Sequence, residues 1–267
     1  MGRLTPNKQL GQHFLVDDTV LHTIVDTYRV DNGNGVVLEV GPGLGVLTAQ
    51  LVQCAQQVTA VEFDRRFLPT LHNLQQHYPN LTIVQQDILQ FDLQAHQLQP
   101  GQYDIVANLP YQITGQFFRR FLSTHYYPRR MVLLIQREVA QRLVAQPGEM
   151  SILGLAVQLW AKPRLVCTVP PQAFKPAPAV HSAIVVLDDI RQQCFVTADQ
   201  ETRLFQLIKL GFSKKRKLLV SNLSARIPKK ALLEQFFHLG ISQQARAQDL
   251  SLKQWLQLVD NLTIFMI

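Results

Sequence analysis

The fold is decided by Val36-Val37-Leu38-Glu39-Val40-Gly41-Pro42-Gly43-Leu44-Gly45, a short apolar run that ends in a glycine-rich turn. Apolar runs of this length are typical of strands that are buried on both faces of a parallel sheet. The residues from Leu44 to Gln53 have helical spacing, so a helix should follow the turn. A strand, a glycine turn and a helix in this order predict a ligand site outside the carboxyl end of the strand.

The same alternation of short apolar runs and helical segments continues to about Ile135. We predict strands at Val36 to Val40, Val58 to Glu62, Leu81 to Gln86, Tyr103 to Ala107 and Met131 to Gln136. Helical segments are predicted between them at Leu44 to Gln53, Arg65 to His77 and Thr114 to Ser123. This order is typical of an α/β fold, a doubly wound Rossmann-like domain.

The two ends of the chain differ from this central part. Asp17 or Asp18 is a candidate cap for an N-terminal helix. Two later β-rich runs flank Val169 to Pro178, whose prolines predict a stiff surface loop. Beyond Asp189 the apolar residues recur at helical spacing only, so we predict a first domain at 1–189 and a small all-α domain at 190–267.

The composition favours a polyanionic partner, because the formal net charge is +7. Nine basic residues and no acidic ones lie between residues 202 and 233, and Lys214, Lys215, Arg216 and Lys217 are consecutive. On a helix these four side chains would point in most directions, so some must face solvent or a phosphate backbone. A solubilising surface run remains the alternative.

Other features favour a cytoplasmic protein with no membrane partner and no metal. No apolar run is long enough to span a membrane, and the N-terminal residues are too polar for a signal peptide. Cys54, Cys167 and Cys194 are widely spaced, as expected of reduced thiols. The histidines form no metal-binding motif.

The glycine turn, together with the ends of the second and third predicted strands, predicts a cofactor site. Gly41 and Gly43 let the backbone approach a ligand, but Val46 occupies a position where the dinucleotide fingerprint needs glycine. Glu62 can accept hydrogen bonds from a ribose diol, and Asp87 can meet an adenine edge. A ligand with an adenosine half, no phosphate and a positive centre fits, so we favour S-adenosylmethionine over a nicotinamide cofactor, with Glu39 near its ammonium end.

A second motif, Asn108-Leu109-Pro110-Tyr111, should lie in the loop after the strand Tyr103 to Ala107. An amide oxygen and the carbonyls beside a proline can accept hydrogen bonds from an exocyclic amine. The tyrosine ring offers a face for stacking. The motif therefore indicates chemistry on a flat ring that bears an amino group.

With these residues assembled, the sequence resembles the ribosomal RNA adenine dimethyltransferase family, in its small-subunit branch. The resemblance covers nearly the whole chain. It rests on Leu10 to Leu15, Glu39 to Gly45, Asn108 to Tyr111, Gln136 to Val139, Val169 to Val180 with its Phe-x-Pro-x-Pro-x-Val core, and Gly211 to Lys217 with Asn222-Leu223.

The resemblance implies cofactor contacts at His13, Leu15, Gly41, Glu62, Asp87 and Asn108, and we predict Gly43 of the glycine turn as a further one. It implies contacts to the target base at Asn108, Leu109, Pro110, Tyr111 and Phe174. The implied reaction is double methylation of two adjacent adenosines in a hairpin loop near the 3′ end of small-subunit rRNA, during ribosome assembly. We expect a monomer that acts on this rRNA or on the pre-assembled small subunit, with Lys214 to Lys217 binding RNA.

Two alternatives stay open. The related large-subunit methyltransferase of macrolide resistance usually carries Asn-Ile-Pro-Tyr and a different glycine turn, so Leu109 and Pro42 argue against it. A non-catalytic RNA-binding assembly or transcription factor with this fold would have lost site residues, and here every implied residue is present. The sequence departs from the family pattern at two positions, with Gly211 where alanine is usual and Lys215 where arginine is common. Lysine at 215 keeps the positive charge but cannot make the bidentate phosphate contacts of arginine.

Overall fold

A computed structural model of the chain describes residues 12–30, 35–191 and 197–262. Leu10, Gly11 and Cys194 lie outside these ranges. The chain divides into two compact units, residues 1–141 with 160–192 and residues 142–159 with 193–267. The sequence-based assignment of domains to 1–189 and 190–267 stays a prediction.

The first unit contains the sheet and the helices that the alternating pattern predicts. Its strands are β1 (Phe14–Leu15), β2 (Val36–Val40), β3 (Gln57–Glu62), β4 (Leu81–Gln85), β5 (Tyr103–Asn108), β6 (Arg130–Gln136), β7 (Lys162–Val169), β8 (Phe174–Lys175) and β9 (Ser182–Asp188). Its helices are α1 (Asp18–Arg29), α2 (Val46–Leu51), α3 (Leu68–Gln75) and α4 (Thr114–Leu122). Two more helices, α5 (Arg137–Leu143) and α6 (Ile152–Trp160), contribute residues to both units.

Seven strands form one sheet in the order β4-β3-β2-β5-β6-β9-β7. The first five are parallel, and β9 and β7 add antiparallel at one edge. The predicted α/β fold is therefore confirmed, with the two late β-rich runs completing the same sheet. The strand order reverses between β2 and β5, and such a reversal is where a doubly wound sheet places its ligand.

Local sequence explains where the helices begin. Asp17 caps α1, because its carboxylate accepts hydrogen bonds from the backbone amides of Thr19 and Val20. The helix α2 is shorter than predicted, since Gly45 adopts a left-handed φ of 78° immediately before it. The segment after β3 begins as a 3-10 turn over Arg65–Phe67, and α3 follows with a proline in its first turn.

The stiff surface loop predicted over Val169 to Pro178 is only partly correct. A 3-10 turn over Pro171–Ala173 and the strand β8 lie within it. The extended strand β8 pairs with β1, in the register Leu15↔Phe174. This pairing buries Phe174 in the core, so the loop is rigid but not wholly at the surface.

The second unit is helical in its C-terminal part, as predicted. Its helices there are α7 (Ala198–Gly211), α8 (Leu219–Leu223), α9 (Lys229–His238) and α10 (Leu252–Leu262). A capping box formed by Thr197 and Gln200 opens α7. The fully buried Trp255 of α10 packs beside Gly211 at the end of α7.

Candidate functional site

A cavity of about 280 Å³ lies at the carboxyl ends of β2, β3, β4 and β5. Its lining combines the glycine turn, the ends of β3 and β4, the loop after β5 and an N-terminal arm over residues 12–15. Four separate sequence motifs therefore meet at one place. The site residues that meet there are His13, Leu15, Gly41, Gly43, Glu62, Asp87, Asn108, Leu109, Pro110 and Tyr111.

The glycine turn forms the floor of this cavity. Gly43 has a φ of 54°, a left-handed conformation that favours glycine. Its amide donates a hydrogen bond of 2.9 Å to Oε2 of Glu62. The Phe14 ring lies 3.5 Å from where a Cβ on Gly43 would stand, so a side chain here would meet the N-terminal arm.

Glu62 is held in one orientation by two backbone amides. Its Oε2 accepts from Gly43 and its Oε1 accepts from the amide of Asp64 at 2.7 Å. Burial raises the pKa of this carboxyl above its usual value. Each carboxylate oxygen has a further lone pair, so Glu62 can still accept hydrogen bonds from a diol in the cavity.

Glu39 is the second buried carboxyl of the cavity, and its side chain differs from Glu62 in having an oxygen without a partner. The residue is 1% exposed, and its Oε2 has no hydrogen bond among the described residues. Burial, assisted by the nearby Glu62 charge, raises the pKa of Glu39 to about 8. An unsatisfied buried carboxyl next to a cavity is stabilised by a guest that carries positive charge. The pocket therefore fits a cationic donor such as S-adenosylmethionine.

Asp87 and Phe63 lie at the neighbouring strand ends. Asp87 caps the 3-10 turn at Ile88–Gln90 by accepting from the Leu89 amide at 2.9 Å, and it lines the cavity. Phe63 is 60% exposed and also lines the cavity. An exposed aromatic ring in a cavity can cover a flat ligand. Sequence reasoning missed Phe63, although its position directly after Glu62 was a usable signal.

The N-terminal arm is tied to the site by polar contacts. Gln12 donates to Asp64 at 2.9 Å, and the Arg66 guanidinium binds the same carboxylate. The hydrogen bond from Arg66 lowers the pKa of Asp64 to about 2. Asp64 therefore stays ionised at neutral pH and holds the arm beside the glycine turn.

Asn108 is oriented by the same arm. Its Nδ2 donates to the carbonyl of His13 at 3.3 Å, so Oδ1 remains as an acceptor in a residue that lines the cavity. The Leu109 amide is fixed by the Leu134 carbonyl at 3.0 Å. The Leu109 carbonyl is a second acceptor, and Leu109 also lines the cavity. Two acceptors thus stand at adjacent positions of the loop.

Tyr111 is fixed by its hydroxyl, which lies 2.6 Å from Oγ of the fully buried Ser182. Its ring stacks on His13 with centroids 6.0 Å apart, and Nδ1 of His13 lies 2.7 Å from the Pro176 carbonyl. Burial raises the pKa of Tyr111, so the hydroxyl stays protonated. Sequence reasoning missed Ser182, because a lone serine at the start of a strand carries no periodic signal.

Phe174, a predicted contact of the target base, does not line this cavity. It is 4% exposed and packs in the core with Leu15. The role of Phe174 toward a base stays a prediction, as do the individual ligand contacts of the other site residues.

The basic residues Lys214, Lys215, Arg216 and Lys217 lie in the second unit and are all exposed. They form a turn between α7 and α8 rather than part of a helix, so the helical distribution considered from the sequence is wrong. The buried Asn222 explains the turn, because its Nδ2 donates to the carbonyls of Gly211 and Lys214. The backbone is thus held while the four charges face solvent.

Five parallel strands, a glycine turn, a carboxylate at the next strand end and an Asn-Leu-Pro-Tyr loop in one cavity define a Rossmann-like methyltransferase. Residues 3–263 match the family described as Ribosomal RNA adenine dimethylase. The chain belongs to this family. Membership confirms the predicted enzyme class and its methyl donor, S-adenosylmethionine, and makes rRNA the class of substrate.

Named relatives are similar over almost the whole chain. A "Ribosomal RNA small subunit methyltransferase A" of Acaryochloris marina is 40% identical over 96% of this chain and 97% of its own length. A protein of the same name from Dehalococcoides mccartyi is 40% identical over 94% of this chain and 87% of its own length.

Solved structures agree with this fold. A dimethyladenosine transferase from Plasmodium falciparum has a TM-score of 0.80 at 26% identity, covering 96% of this chain and 99% of its own. The 23S rRNA methyltransferase ErmE has a TM-score of 0.77 at 26% identity, covering 94% and 99%. Among the described residues, no helix has the length and apolar character needed to cross a membrane.

Proposed function

We propose that the protein transfers methyl groups from S-adenosylmethionine to the exocyclic amines of two adjacent adenosines in a 3′-terminal hairpin loop of small-subunit rRNA. The products are dimethyladenosines, formed during ribosome biogenesis. One observation carries the proposal: the Asn108 to Tyr111 loop and the Glu39 to Gly45 turn line the same cavity. The small-subunit name of the relatives supports this choice of substrate.

The donor would be held by residues at the strand ends. The glycine turn would lie against it, Glu62 would accept from its ribose, Asp87 would meet its adenine, and Glu39 would face its positive end. His13 and Leu15 of the arm would close the same pocket. When bound, S-adenosylmethionine supplies an activated methyl group on a sulfonium centre.

The loop after β5 would present the adenine. Its amino nitrogen is a poor nucleophile, because the lone pair is delocalised into the ring. Oδ1 of Asn108 and the Leu109 carbonyl would accept the two amino hydrogens and favour a pyramidal nitrogen. Tyr111, held by Ser182, would stack on the ring. Most of the rate enhancement then comes from placement, which can supply several kcal/mol.

The protonated amine formed by transfer is strongly acidic and can lose its proton to water. No dedicated general base is therefore needed. The residues of the site have to orient the amino nitrogen toward the methyl donor in each of the two transfers. The target adenosine must also leave its stack, which costs a few kcal/mol and least in a single-stranded loop.

The RNA partner would be the small-subunit rRNA or the pre-assembled small ribosomal subunit, bound by a protein monomer in the cytoplasm. Lys214 to Lys217 would contact phosphates around the hairpin. Such contacts position an RNA without reading its sequence, so the choice of adenosine falls to the loop and the shape of the cavity.

The test is methyl transfer from a labelled donor to small-subunit and large-subunit particles, followed by mapping of the product. We expect two adjacent dimethyladenosines near the 3′ end of the small-subunit rRNA. Label in large-subunit rRNA would instead support the activity that the name of ErmE describes. Donor binding without transfer to either particle would support a non-catalytic assembly factor.

A further inference from the structure

The helix α4 follows the Asn108 to Tyr111 loop almost directly and has two contrasting faces. One face is buried, through Phe117, Phe118, Phe121 and Leu122. On the other, Gln116, Arg119 and Ser123 are exposed at the spacing that places residues on one side of a helix. The polar face therefore begins beside the site where the target base is proposed to bind.

An open groove runs along this polar face. It is lined by Leu89, Gln116, Arg119, Arg120, Ser123 and Thr124. Leu89 also lines the main cavity, so the groove and the cavity adjoin. The groove contains two guanidinium groups and no carboxylate. Its charge is therefore positive.

The two arginines differ from several basic residues of this unit that pair with a carboxylate. Arg129 pairs with Asp104, and Lys162 pairs with Asp189. No ion pair within the described residues includes Arg119 or Arg120. Arg120 is partly buried, and its Nη2 donates to the Phe91 carbonyl at 2.8 Å. This contact fixes the guanidinium without neutralising its charge.

We propose that this groove, which we call the α4 groove, binds backbone phosphates of the RNA strand next to the target adenosine. The inference rests on the proposed function, since it concerns the same substrate. An extruded nucleotide keeps its neighbours on the same strand, so their phosphates must pass close to the mouth of the cavity. Guanidinium groups match phosphate geometry through paired hydrogen bonds, and a held guanidinium loses less freedom on binding.

The positive charge of the α4 groove should therefore raise the affinity for RNA without changing the affinity for the methyl donor. Each phosphate contact on single-stranded RNA contributes about 0.7 to the slope of log K against log salt. At 0.1 M salt this corresponds to roughly fivefold in affinity for each phosphate, relative to 1 M salt. Removal of both arginines should thus weaken RNA binding by about 25-fold at 0.1 M salt.

The experiment compares Arg119→Gln/Arg120→Gln with the wild-type chain. RNA affinity is measured over a salt series with a small-subunit rRNA hairpin, and donor affinity is measured by calorimetry. We expect the salt slope to fall by about 1.4 with donor affinity unchanged. Arg119→Gln alone, which spares the hydrogen bond from Arg120 to Phe91, should lower the slope by about 0.7.

A charge-matched control is available at the β7 edge of the sheet. Lys162→Gln/Arg164→Gln removes the same two charges from β7, where both side chains pair with carboxylates. Its salt slope should stay at the wild-type value. Replacing the two groove arginines by lysine should retain the slope and reduce the affinity in part.

Each result has one meaning. An unchanged slope in the single and double glutamine variants, with wild-type RNA binding and methyl transfer intact, overturns the α4 groove proposal and leaves the proposed function standing. An equal drop in the control variant also overturns it, because net charge would then explain the effect. Failure of the wild-type chain to bind or methylate the rRNA contradicts the proposed function itself.

Discussion

The cofactor cavity and the basic turn represent two ways of building a binding region. In the cavity, Glu62 and Asn108 each have fixed backbone partners, so the directions of these two side chains are set. In the basic turn, Asn222 holds the backbone while the side chains of Lys214 to Lys217 are exposed. Function in the cavity should therefore depend on individual atoms, whereas function in the turn should depend on the number of charges.

The largest effect should follow from Asn108→Ala. This change removes the acceptor proposed to hold the adenine amine, and misplacement of a reacting group by about 1 Å can cost on the order of 100-fold in rate. We expect methyl transfer to fall by at least that factor, while RNA affinity stays nearly constant. Single-turnover kinetics and a binding titration on the same variant give the two values.

A matched control is Asn73→Ala, which makes the same chemical change at an exposed position of α3. It should leave both values at wild-type level. If Asn108→Ala reduces RNA affinity as much as methyl transfer, Asn108 does not act by orienting the adenine amine. The contrast between the cavity and the basic turn would then be wrong.

Much of the cavity could be predicted because its residues stand at strand ends. Once Val36–Val40, Gln57–Glu62 and Tyr103–Asn108 are identified as neighbouring parallel strands, the residues at their carboxyl ends must meet at one edge of the sheet, namely Gly41, Glu62 and Asn108. The family resemblance contributed His13 and Leu15, which no periodicity would have selected.

What the sequence did not predict are contacts between distant parts of the chain. Ser182 meets Tyr111 only because β9 enters the sheet beside β6. Phe174 is buried because β8 pairs with β1. Such packing depends on strand pairing, which the local pattern of a single segment does not contain.

The buried carboxyl of Glu39 predicts a pH dependence that the basic turn should lack. The pKa of Glu39 is raised from 4.5 to about 8, so between these values the folded protein keeps a proton that the unfolded chain releases. Stability should therefore fall as the pH rises across this window, by up to about 1.4 kcal/mol per pH unit. Above about pH 8 the decline from this group ends.

Glu39→Gln cannot ionise and should lack this contribution. Thermal unfolding of both proteins at pH 6 and pH 8, without the methyl donor, measures the difference. We expect the wild-type melting temperature to drop more than that of the variant. Parallel shifts in the two proteins would show that Glu39 does not hold its proton in the folded state.

A substitution at Gly211 tests how tightly the backbone at the start of the basic turn is packed. A Cβ at this position would stand 2.5 Å from Cη2 of Trp255 and 2.9 Å from Cδ1 of Leu219, so alanine requires the packing to shift. This explains why glycine stands where the family usually has alanine. We expect Gly211→Ala to lower stability by about 1–3 kcal/mol, measured by chemical denaturation.

The same substitution at Gly115 is the control, since nothing lies within 4 Å of a Cβ built there. An exposed helical glycine replaced by alanine should gain about 0.5–1 kcal/mol of stability. Trp255→Leu should cost less stability in the Gly211→Ala background than in the wild-type chain, because both changes act on the same contact. If Gly211→Ala and Gly115→Ala change the free energy of unfolding in the same direction, the steric explanation for Gly211 is wrong.

The smallest effect per residue should come from the basic turn itself. Replacing Lys214 and Lys215 by glutamine removes two exposed charges without disturbing the hydrogen bonds from Asn222 to the backbone. The slope of log K against log salt for rRNA binding should fall by about 0.7 to 0.9 for each phosphate that the turn no longer neutralises. Methyl transfer at saturating RNA should stay at the wild-type rate, because no atom of the cavity changes.

Lys229→Gln/Lys230→Gln is the control for position, as both lysines are exposed in α9 and carry the same charge. A drop of equal size in the two double variants would mean that the net charge of this region, rather than the turn, attracts the RNA. An unchanged slope in Lys214→Gln/Lys215→Gln would identify the run as a solvated surface. A lower rate of methyl transfer by Lys214→Gln/Lys215→Gln at saturating RNA would contradict the contrast between the cavity and the basic turn. Exposed charges would then affect the orientation of the reacting groups.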